Sequence, residues 1–106
     1  MSTINWPGQS GTQYQHWIHP IGTGFKDEGG NYVYAKETSP GQWVPVYIGQ
    51  TNSLKARLEN HEIEAQCKRN GATHVHAHTN ATEAARLAEE RDLIARWKPT
   101  CNTLLK

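Results

Sequence analysis

The tripeptide Tyr47-Ile48-Gly49 and the segment after it constrain the fold of this chain most strongly. The residues before Gly49 are typical of a β-strand, and a helix is predicted to begin shortly after the glycine. Arg57 lies on that helix ten residues after Tyr47, and His61 follows one helical turn later. This spacing brings a phenol, a guanidinium and an imidazole toward one small anion. A phosphodiester is such an anion, so the pattern indicates nuclease chemistry as a working hypothesis.

The composition allows one small domain and gives little support for a strongly basic binding surface. The chain has 106 residues, 36% of them hydrophobic, and a formal net charge of +1. A length of this order is that of a single domain with one modest core. Proteins dedicated to nucleic-acid binding are usually more basic, so a weak, locally basic site is the most that the charge permits.

The sequence shows neither a membrane segment nor a secretory signal. No apolar run approaches the roughly 20 residues of a membrane span. The N-terminus has no basic start followed by an apolar stretch. We therefore expect a cytoplasmic protein without membrane association, in which Cys67 and Cys101 are free thiols.

The first 29 residues are rich in turn formers but also carry large aromatic side chains. Pro7, Pro20 and several glycines favour loop structure. Trp6 and Trp17, in contrast, are too apolar for a free tail. We therefore predict an irregular N-terminal extension, residues 1–29, that packs on a domain of residues 30–106 and includes a short strand near residues 14–18.

The remainder of the chain alternates between strand-like and helix-like patterns. Strands are predicted at residues 31–37, 43–48 and 73–79, one helix from Asn52 or Ser53 to Asn70-Gly71, and a second from an Asn80–Glu83 capping box to about Trp97. The first two strands flank a short turn and form an antiparallel hairpin, in which Pro45 marks an edge strand. The order β-β-α-β-α predicts an α/β fold of the α+β type, with a small central antiparallel three-stranded sheet flanked by helices.

Six residues stand in the order of a known set of motifs: Tyr32, Tyr47, Arg57, His61, Glu90 and Asn102. With them the chain resembles the GIY-YIG nuclease superfamily over roughly residues 29–104. The first family motif corresponds to Gly30-Asn31-Tyr32 and the second to Tyr47-Ile48-Gly49. A Tyr-Ile-Gly tripeptide alone occurs by chance in many proteins, whereas the ordered set with these spacings is much more specific.

The resemblance implies a role for each polar residue near the second motif. In the family both tyrosines, here Tyr32 and Tyr47, line the site, and either serves as the general base that activates water; we favour Tyr47. A free phenol has a pKa of about 10, so this role needs a nearby cation or metal ion. Arg57 would hold phosphate oxygens as negative charge builds up. His61 would help to bind phosphate or shuttle a proton.

The resemblance also implies a metal-binding carboxylate on the second predicted helix. Glu90 rather than Glu89 fits the family spacing, because Glu90 precedes Pro99 by nine residues. A single carboxylate with water in the other positions suits a hard cation, Mg²⁺ or Mn²⁺. Asn102 would tether the C-terminal segment to the site.

Two positions depart from the family pattern, and one histidine cluster lies outside it. Asn31 replaces the apolar residue usual in the first motif, and Gln50 stands where many members have lysine or serine, which leaves the activity of the site open. His74, His76 and His78 alternate along one strand and predict a polar outer face. A weak Zn²⁺ or Ni²⁺ site formed by neighbouring histidines is the alternative.

These observations predict a metal-dependent endonuclease that cleaves DNA, with RNA as an alternative substrate. The main rival hypothesis is a catalytically weak or inactive module that binds nucleic acid or protein on the same scaffold. A third hypothesis is a metal-binding protein built on the histidine strand. So small a domain is also compatible with a partner protein or a homodimer.

Overall fold

The computed structural model describes residues 2–103, which form five strands and four helices. These elements are β1 (Thr3–Pro7), β2 (Gln13–Pro20), β3 (Gly30–Ser39), β4 (Gln42–Thr51), α1 (Leu54–Glu59), α2 (Glu64–Arg69), β5 (His74–Thr79), α3 (Glu83–Trp97) and α4 (Thr100–Thr103). The strands form one sheet in the order β1-β2-β5-β3-β4. All of the pairings between neighbouring strands are antiparallel. The α+β architecture predicted from the sequence is therefore confirmed.

The sheet is larger than the sequence predicted, because the N-terminal residues add two strands to it. The predicted three-stranded sheet and irregular N-terminal extension are both wrong: β1 and β2 pair with each other, and β2 pairs with β5. Pro7 and Pro20 are the last residues of β1 and β2, where proline interrupts little of the hydrogen-bond ladder. The turn formers thus lie at strand ends, and the aromatic residues between them belong to the sheet.

The predicted hairpin of the first family motifs is present as β3 and β4. Its register runs from the pair Gly30 and Thr51 to the pair Ser39 and Gln42. Pro45 lies on β4, which is an edge strand of the sheet, as its position in the sequence indicated. β3 lies between β4 and β5, and its residues 30–35 are all buried. The hairpin therefore presents residues of both motifs from the interior of the fold.

Both faces of the sheet are covered by apolar side chains. On one face, Tyr32 and Tyr34 of β3 pack in a cluster with Leu54 of α1 and Cys67 of α2. On the other face, Val33, Ala35 and Ile48 pack with Trp6 of β1 and Leu93 of α3. Because side chains alternate along a strand, β3 supplies successive residues to opposite clusters. The two cysteines are buried and unpaired, which confirms the prediction of free thiols.

The helix predicted after the second motif is interrupted. Ser53 caps α1 as expected, because its hydroxyl accepts a hydrogen bond from the Ala56 amide at 3.1 Å. α1 ends at Asn60, whose φ of −137° and ψ of 45° are not helical, and the chain starts a second helix after Ile63. Residues 60–63 therefore form a loop between α1 and α2, and His61 lies in that loop.

α3 covers the second face of the sheet and carries two adjacent glutamates. The predicted capping box is wrong, because Thr82 is the N-cap residue and makes no side-chain capping bond. Lys98 adopts a left-handed conformation with φ of 46° and ends the helix directly before Pro99. Within the described part of the chain, none of the helices combines the length and apolar character needed to cross a membrane.

Candidate active site

The phenol of Tyr32 lies across the backbone of Gly49, its cross-strand neighbour on β4. A Cβ atom built on Gly49 would stand 2.5 Å from the Tyr32 hydroxyl oxygen and 2.5 Å from the ring carbon that bears it. No side chain fits there without moving the ring. The side chain of Tyr32 is almost completely buried, with 1% of its surface exposed. The tyrosine of the first motif therefore requires a glycine at this position of the second motif.

The hydroxyl oxygen of Tyr32 faces two nitrogen donors. The Ile63 amide donates to Nδ1 of His61 at 3.2 Å, so Nδ1 carries a lone pair and the proton of the neutral ring lies on Nε2. His61 Nε2 is 2.8 Å from the Tyr32 oxygen and therefore donates to it. Arg57 Nε also points at this oxygen, at 3.5 Å. This arrangement leaves the Tyr32 proton free to point elsewhere and favours the phenolate once that proton is lost.

Burial and one positive charge determine the electrostatics of these groups. Burial lowers the pKa of His61 to about 4, and the charge of Arg57 acts in the same direction, so the imidazole is neutral at pH 7. Burial raises the pKa of both Tyr32 and Tyr47, while Arg57 opposes the rise for each phenol. Arg57 is thus the cation within reach of both tyrosines. Its own ion pair is the partly exposed contact with Glu62 at 3.7 Å.

Glu90 belongs to α3, on the other face of the sheet, but its charge reaches the two phenols. Its negative charge raises the pKa of Tyr32 and of Tyr47, which places the carboxylate near both rings. Burial raises the pKa of Glu90 itself, and a hydrogen bond from the Gln50 backbone amide opposes that rise. The charge of Arg91 also opposes the rise. A partly buried carboxylate is a costly charge, and a hard divalent ion would offset that cost. Glu90 therefore fits the role of a metal ligand.

Asn102 holds the outer edge of the hairpin and does not point at the phenols. Its Oδ1 accepts from the Ile48 amide at 2.8 Å, and its Nδ2 donates to the Ile48 carbonyl oxygen at 2.8 Å. β4 is an edge strand, so these two bonds replace those of a further strand. The side chain of Asn102 thereby fixes the segment between Tyr47 and Gly49, and it acts on the site through the backbone.

The structure brings five of the six predicted residues together, with the sixth behind them. Tyr32, Tyr47, Arg57, His61 and Glu90 approach one another, and Asn102 supports the strand beneath. His61 reaches the site from the loop after α1 and not from the next turn of a helix. The prediction that helical spacing places it beside Arg57 is therefore wrong, although the two residues do lie close together. The catalytic roles of these residues stay predictions.

The two departures from the family pattern belong to one buried polar network that the sequence did not reveal. Asn31 and Gln50 are cross-strand neighbours. The Asn31 amide donates to the Arg86 carbonyl oxygen at 3.0 Å, and Arg86 Nε donates to Gln50 Oε1 at 3.1 Å. Asn80 also donates to Asn31, at 3.1 Å. The only signal in the sequence was that both departures were polar and stood next to paired motifs.

The histidines of β5 do not form a polar outer face, and that prediction is wrong. α3 and the side chain of Trp6 cover this side of the sheet, and His76 is completely buried there. Trp6 Nε1 donates to His76 Nδ1 at 3.0 Å, His74 contacts the Thr73 hydroxyl at 2.7 Å, and His78 contacts a glutamate of α3. Neighbouring histidines of the strand therefore have separate partners.

Comparisons with known proteins agree with the fold. A family model described as the T5orf172 domain matches residues 29–102. The structure is similar to the GIY-YIG N-terminal endonuclease domain of UvrC from Thermotoga maritima. A form of that domain bound to magnesium, its catalytic divalent cation, is 25% identical with a TM-score of 0.58, and the match covers 72% of this chain and 84% of that one. A point mutant bound to its catalytic divalent cation is 22% identical with a TM-score of 0.59, covering 72% and 83%. No curated protein matches the chain.

Proposed function

This chain belongs to the T5orf172 domain family and has the GIY-YIG fold, and we propose that it is a metal-dependent endonuclease that hydrolyses phosphodiester bonds of DNA. The observation that carries the proposal is the convergence of two phenols, the Arg57 guanidinium and the Glu90 carboxylate. RNA is the alternative substrate. We further propose that residues 30–106 are the nuclease domain, that residues 1–29 are an addition to it, and that the protein acts in the cytoplasm.

In the proposed mechanism, the phenolate of Tyr32, formed when its own proton is released to solvent, takes a proton from the attacking water. The sequence favours Tyr47 for this role; Tyr32 is proposed instead because His61 Nε2 and Arg57 Nε both direct N–H groups at its oxygen, although burial raises its pKa. The neutral His61 ring keeps its Nε2 proton directed at the phenol oxygen, because the Ile63 amide occupies Nδ1. His61 therefore orients and stabilises the base, and it does not itself remove the proton. Tyr47 lies beside the pair, with its ring centroid 6.2 Å from that of Tyr32.

Arg57 and Glu90 supply the charges that the reaction needs. Arg57 stabilises the negative charge that develops on the phosphate oxygens as water adds, since its guanidinium faces the phenols and is partly exposed. Glu90 holds a divalent cation, Mg²⁺ or Mn²⁺, which when bound supplies positive charge to the phosphate and the leaving oxygen. Asn102 keeps β4 in position through Ile48.

The rival function is a binding module on the same scaffold, without cleavage. The observation that favours it is the burial of both phenols, which raises the pKa of each away from the range that suits a general base. Such a module would bind nucleic acid, or a partner protein or second copy of the chain, through the same face.

Cleavage assays with matched variants test the proposal. The purified protein is incubated with supercoiled, single-stranded, nicked and branched DNA in Mg²⁺, in Mn²⁺ or in EDTA. We expect metal-dependent products, and we expect Glu90→Ala and Arg57→Ala each to reduce the rate by about 10²-fold or more. Lys55→Ala on α1 and Glu83→Ala on α3 are exposed controls that should cleave normally. Full activity of Glu90→Ala would refute the metal-binding role, and binding without product on every substrate would favour the binding module.

A further inference from the structure

Three side chains from separate elements converge on the face of the sheet opposite the phenols. They are His16 of β2, His78 of β5 and Glu89 of α3, and one ligand atom from each lies within 4.8 Å of the others. His16 is completely buried, Glu89 is 4% exposed and His78 is 22% exposed. None of the three belongs to the proposed active site. Buried imidazoles and a buried carboxylate are costly unless each finds a partner.

Hydrogen bonds to the backbone fix the same orientation in both imidazoles. Nδ1–H of His16 donates to the Tyr14 carbonyl oxygen at 2.9 Å, and Nδ1–H of His78 donates to the Thr79 carbonyl oxygen at 3.0 Å. A carbonyl oxygen is only an acceptor, so Nδ1 carries the proton in each ring. In the neutral rings, both Nε2 lone pairs are then directed at Glu89, at 3.5 Å from His16 and 2.8 Å from His78.

His16 Nε2 is therefore a buried lone pair that faces a carboxylate. Among the described residues this atom has no hydrogen-bond partner, and its 3.5 Å contact with the Glu89 carboxylate is not a hydrogen bond. A nitrogen lone pair and a carboxylate oxygen repel each other unless a cation lies between them. A proton on His78 would satisfy its own contact with Glu89 but would leave that of His16 unsatisfied.

His76 provides an internal comparison, since its Nε2 is also buried without a partner in the part of the chain that the structure describes. Its Nδ1 accepts a hydrogen bond from Trp6 at 3.0 Å, so the proton of the neutral ring lies on Nε2. The unpaired atom of His76 is therefore a donor, whereas the unpaired atom of His16 is an acceptor. Only the latter is able to bind a metal ion, and this difference separates His16 and His78 from His76.

We propose that His16, His78 and Glu89 bind a divalent transition-metal ion of the zinc type. Metal-bound histidines characteristically donate their other ring N–H to a backbone carbonyl or a carboxylate, as both of these do. Two histidines and one glutamate form a known ligand set for zinc, with water in the remaining position. Ligands at about 2.0–2.1 Å from a tetrahedral ion are about 3.4 Å apart. The His16–Glu89 separation of 3.5 Å meets this value, and the His78–Glu89 contact of 2.8 Å needs to open by about half an ångström.

The ion would link the N-terminal strands to the helix that carries the proposed catalytic glutamate. His16 lies outside residues 29–102, the part that matches the family model, while His78 and Glu89 lie within it. Consecutive residues of a helix project about 100° apart, so Glu89 faces the sheet while Glu90 faces the phenols. The site is therefore distinct from the active site. Its existence does not depend on nuclease activity.

Calorimetric titration of the full chain with ZnCl₂, after treatment with EDTA, tests the proposal. We expect one tightly bound ion per chain. His16→Ala and Glu89→Gln should each weaken the zinc affinity by more than about 100-fold, because each variant alters a ligand. Changing only a hydrogen-bonding partner of a ligand costs less, about 10–100-fold. His74→Ala is the matched control, because it removes a histidine of the same strand that contacts Thr73 instead. Glu90→Ala should also keep the tight site, which separates this ion from the one proposed for catalysis.

A second measurement on the unaltered protein guards against variants that fail to fold. Crystals grown with ZnCl₂ are measured at the zinc absorption edge, and an anomalous peak is expected among the two Nε2 atoms and the Glu89 carboxylate. Absence of tight uptake by the wild-type chain would overturn the proposal. So would a peak only at Glu90, or an affinity that Glu89→Gln leaves unchanged.

Discussion

Replacing Gly49 by alanine tests the packing that places the Tyr32 phenol. The added Cβ would lie 2.5 Å from both the hydroxyl oxygen and the ring carbon that bears it. Normal contacts between such atoms are about 3.5–4.0 Å, so the ring has to move by about 1 Å. Overpacking of this kind costs about 1–3 kcal/mol of stability. A displacement of about 1 Å in a catalytic group also lowers the rate by about 10²-fold.

Two measurements and one matched substitution make this prediction decisive. Gly24→Ala is the control, since nothing lies within 4 Å of its Cβ position, and we expect it to be neutral or slightly stabilising. Urea unfolding followed by tryptophan fluorescence gives the stability, and plasmid nicking gives the rate. In a Tyr32→Ala background the Gly49→Ala penalty should disappear, because the ring that it clashes with is gone. The reasoning fails if Gly49→Ala is as stable as Gly24→Ala, or if its cost persists in that background.

Two further predictions concern buried polar groups. Gln50→Leu removes the acceptor for Arg86 Nε and should lower the free energy of unfolding in urea by about 1–3 kcal/mol. The double variant that adds Arg86→Met should recover part of that loss, because the unpaired buried charge is gone. Equal stability of Gln50→Leu and wild type would contradict the network. For pH, burial holds the folded pKa of His61 at about 4 and that of His76 at about 3, both below the unfolded value near 6.5. The unfolded chain therefore binds more protons, and stability should be full above about pH 6.5 and fall toward pH 4, by at most about 1.4 kcal/mol per pH unit for each histidine. Unfolding midpoints in EDTA that stay constant from pH 7 to pH 5 would refute this.

The β3–β4 hairpin was predictable because its signals are local. Alternating residues, a proline-glycine turn and an edge proline all lie within the hairpin itself. The strands β1 and β2 were missed because their prolines and the adjacent glycines resemble loop sequence when the sheet is not known. β1 pairs with β2, and the other partner of β2 is β5, which is more than 50 residues away in the chain. No local pattern encodes that second contact. Trp6 gave the correct hint that this segment packs, but not that it extends the sheet, whereas Trp17 is 45% exposed.

The loop that carries His61 was unpredictable for a different reason. Leu54 and Leu58 form an apolar stripe that Ala65 extends on a helical period, so the sequence favours one helix. The backbone instead leaves the helix at Asn60, and His61 turns in between three tyrosine rings, with centroid distances of 5.6, 5.6 and 5.2 Å. Tertiary packing of an imidazole against aromatic rings overrides helix propensity here, and single-sequence reasoning does not include that packing.

Glu89 and Glu90 contact different groups in the fold, although the sequence presented them as alternatives for one metal site. In the sequence, both residues resemble solvated carboxylates on a charged helix. The prediction that Glu90 binds the metal ion therefore assigned no contact to Glu89. Glu89 is instead more deeply buried and contacts His78 at 2.8 Å, while Glu90 approaches the phenols. Because the two side chains project about 100° apart, the Glu89 contact also fixes the rotation of α3 and hence the direction of Glu90. A rotation of α3 large enough to free Glu89 from His78 would carry Glu90 away from Tyr32, so the two faces of the sheet are coupled through one helix.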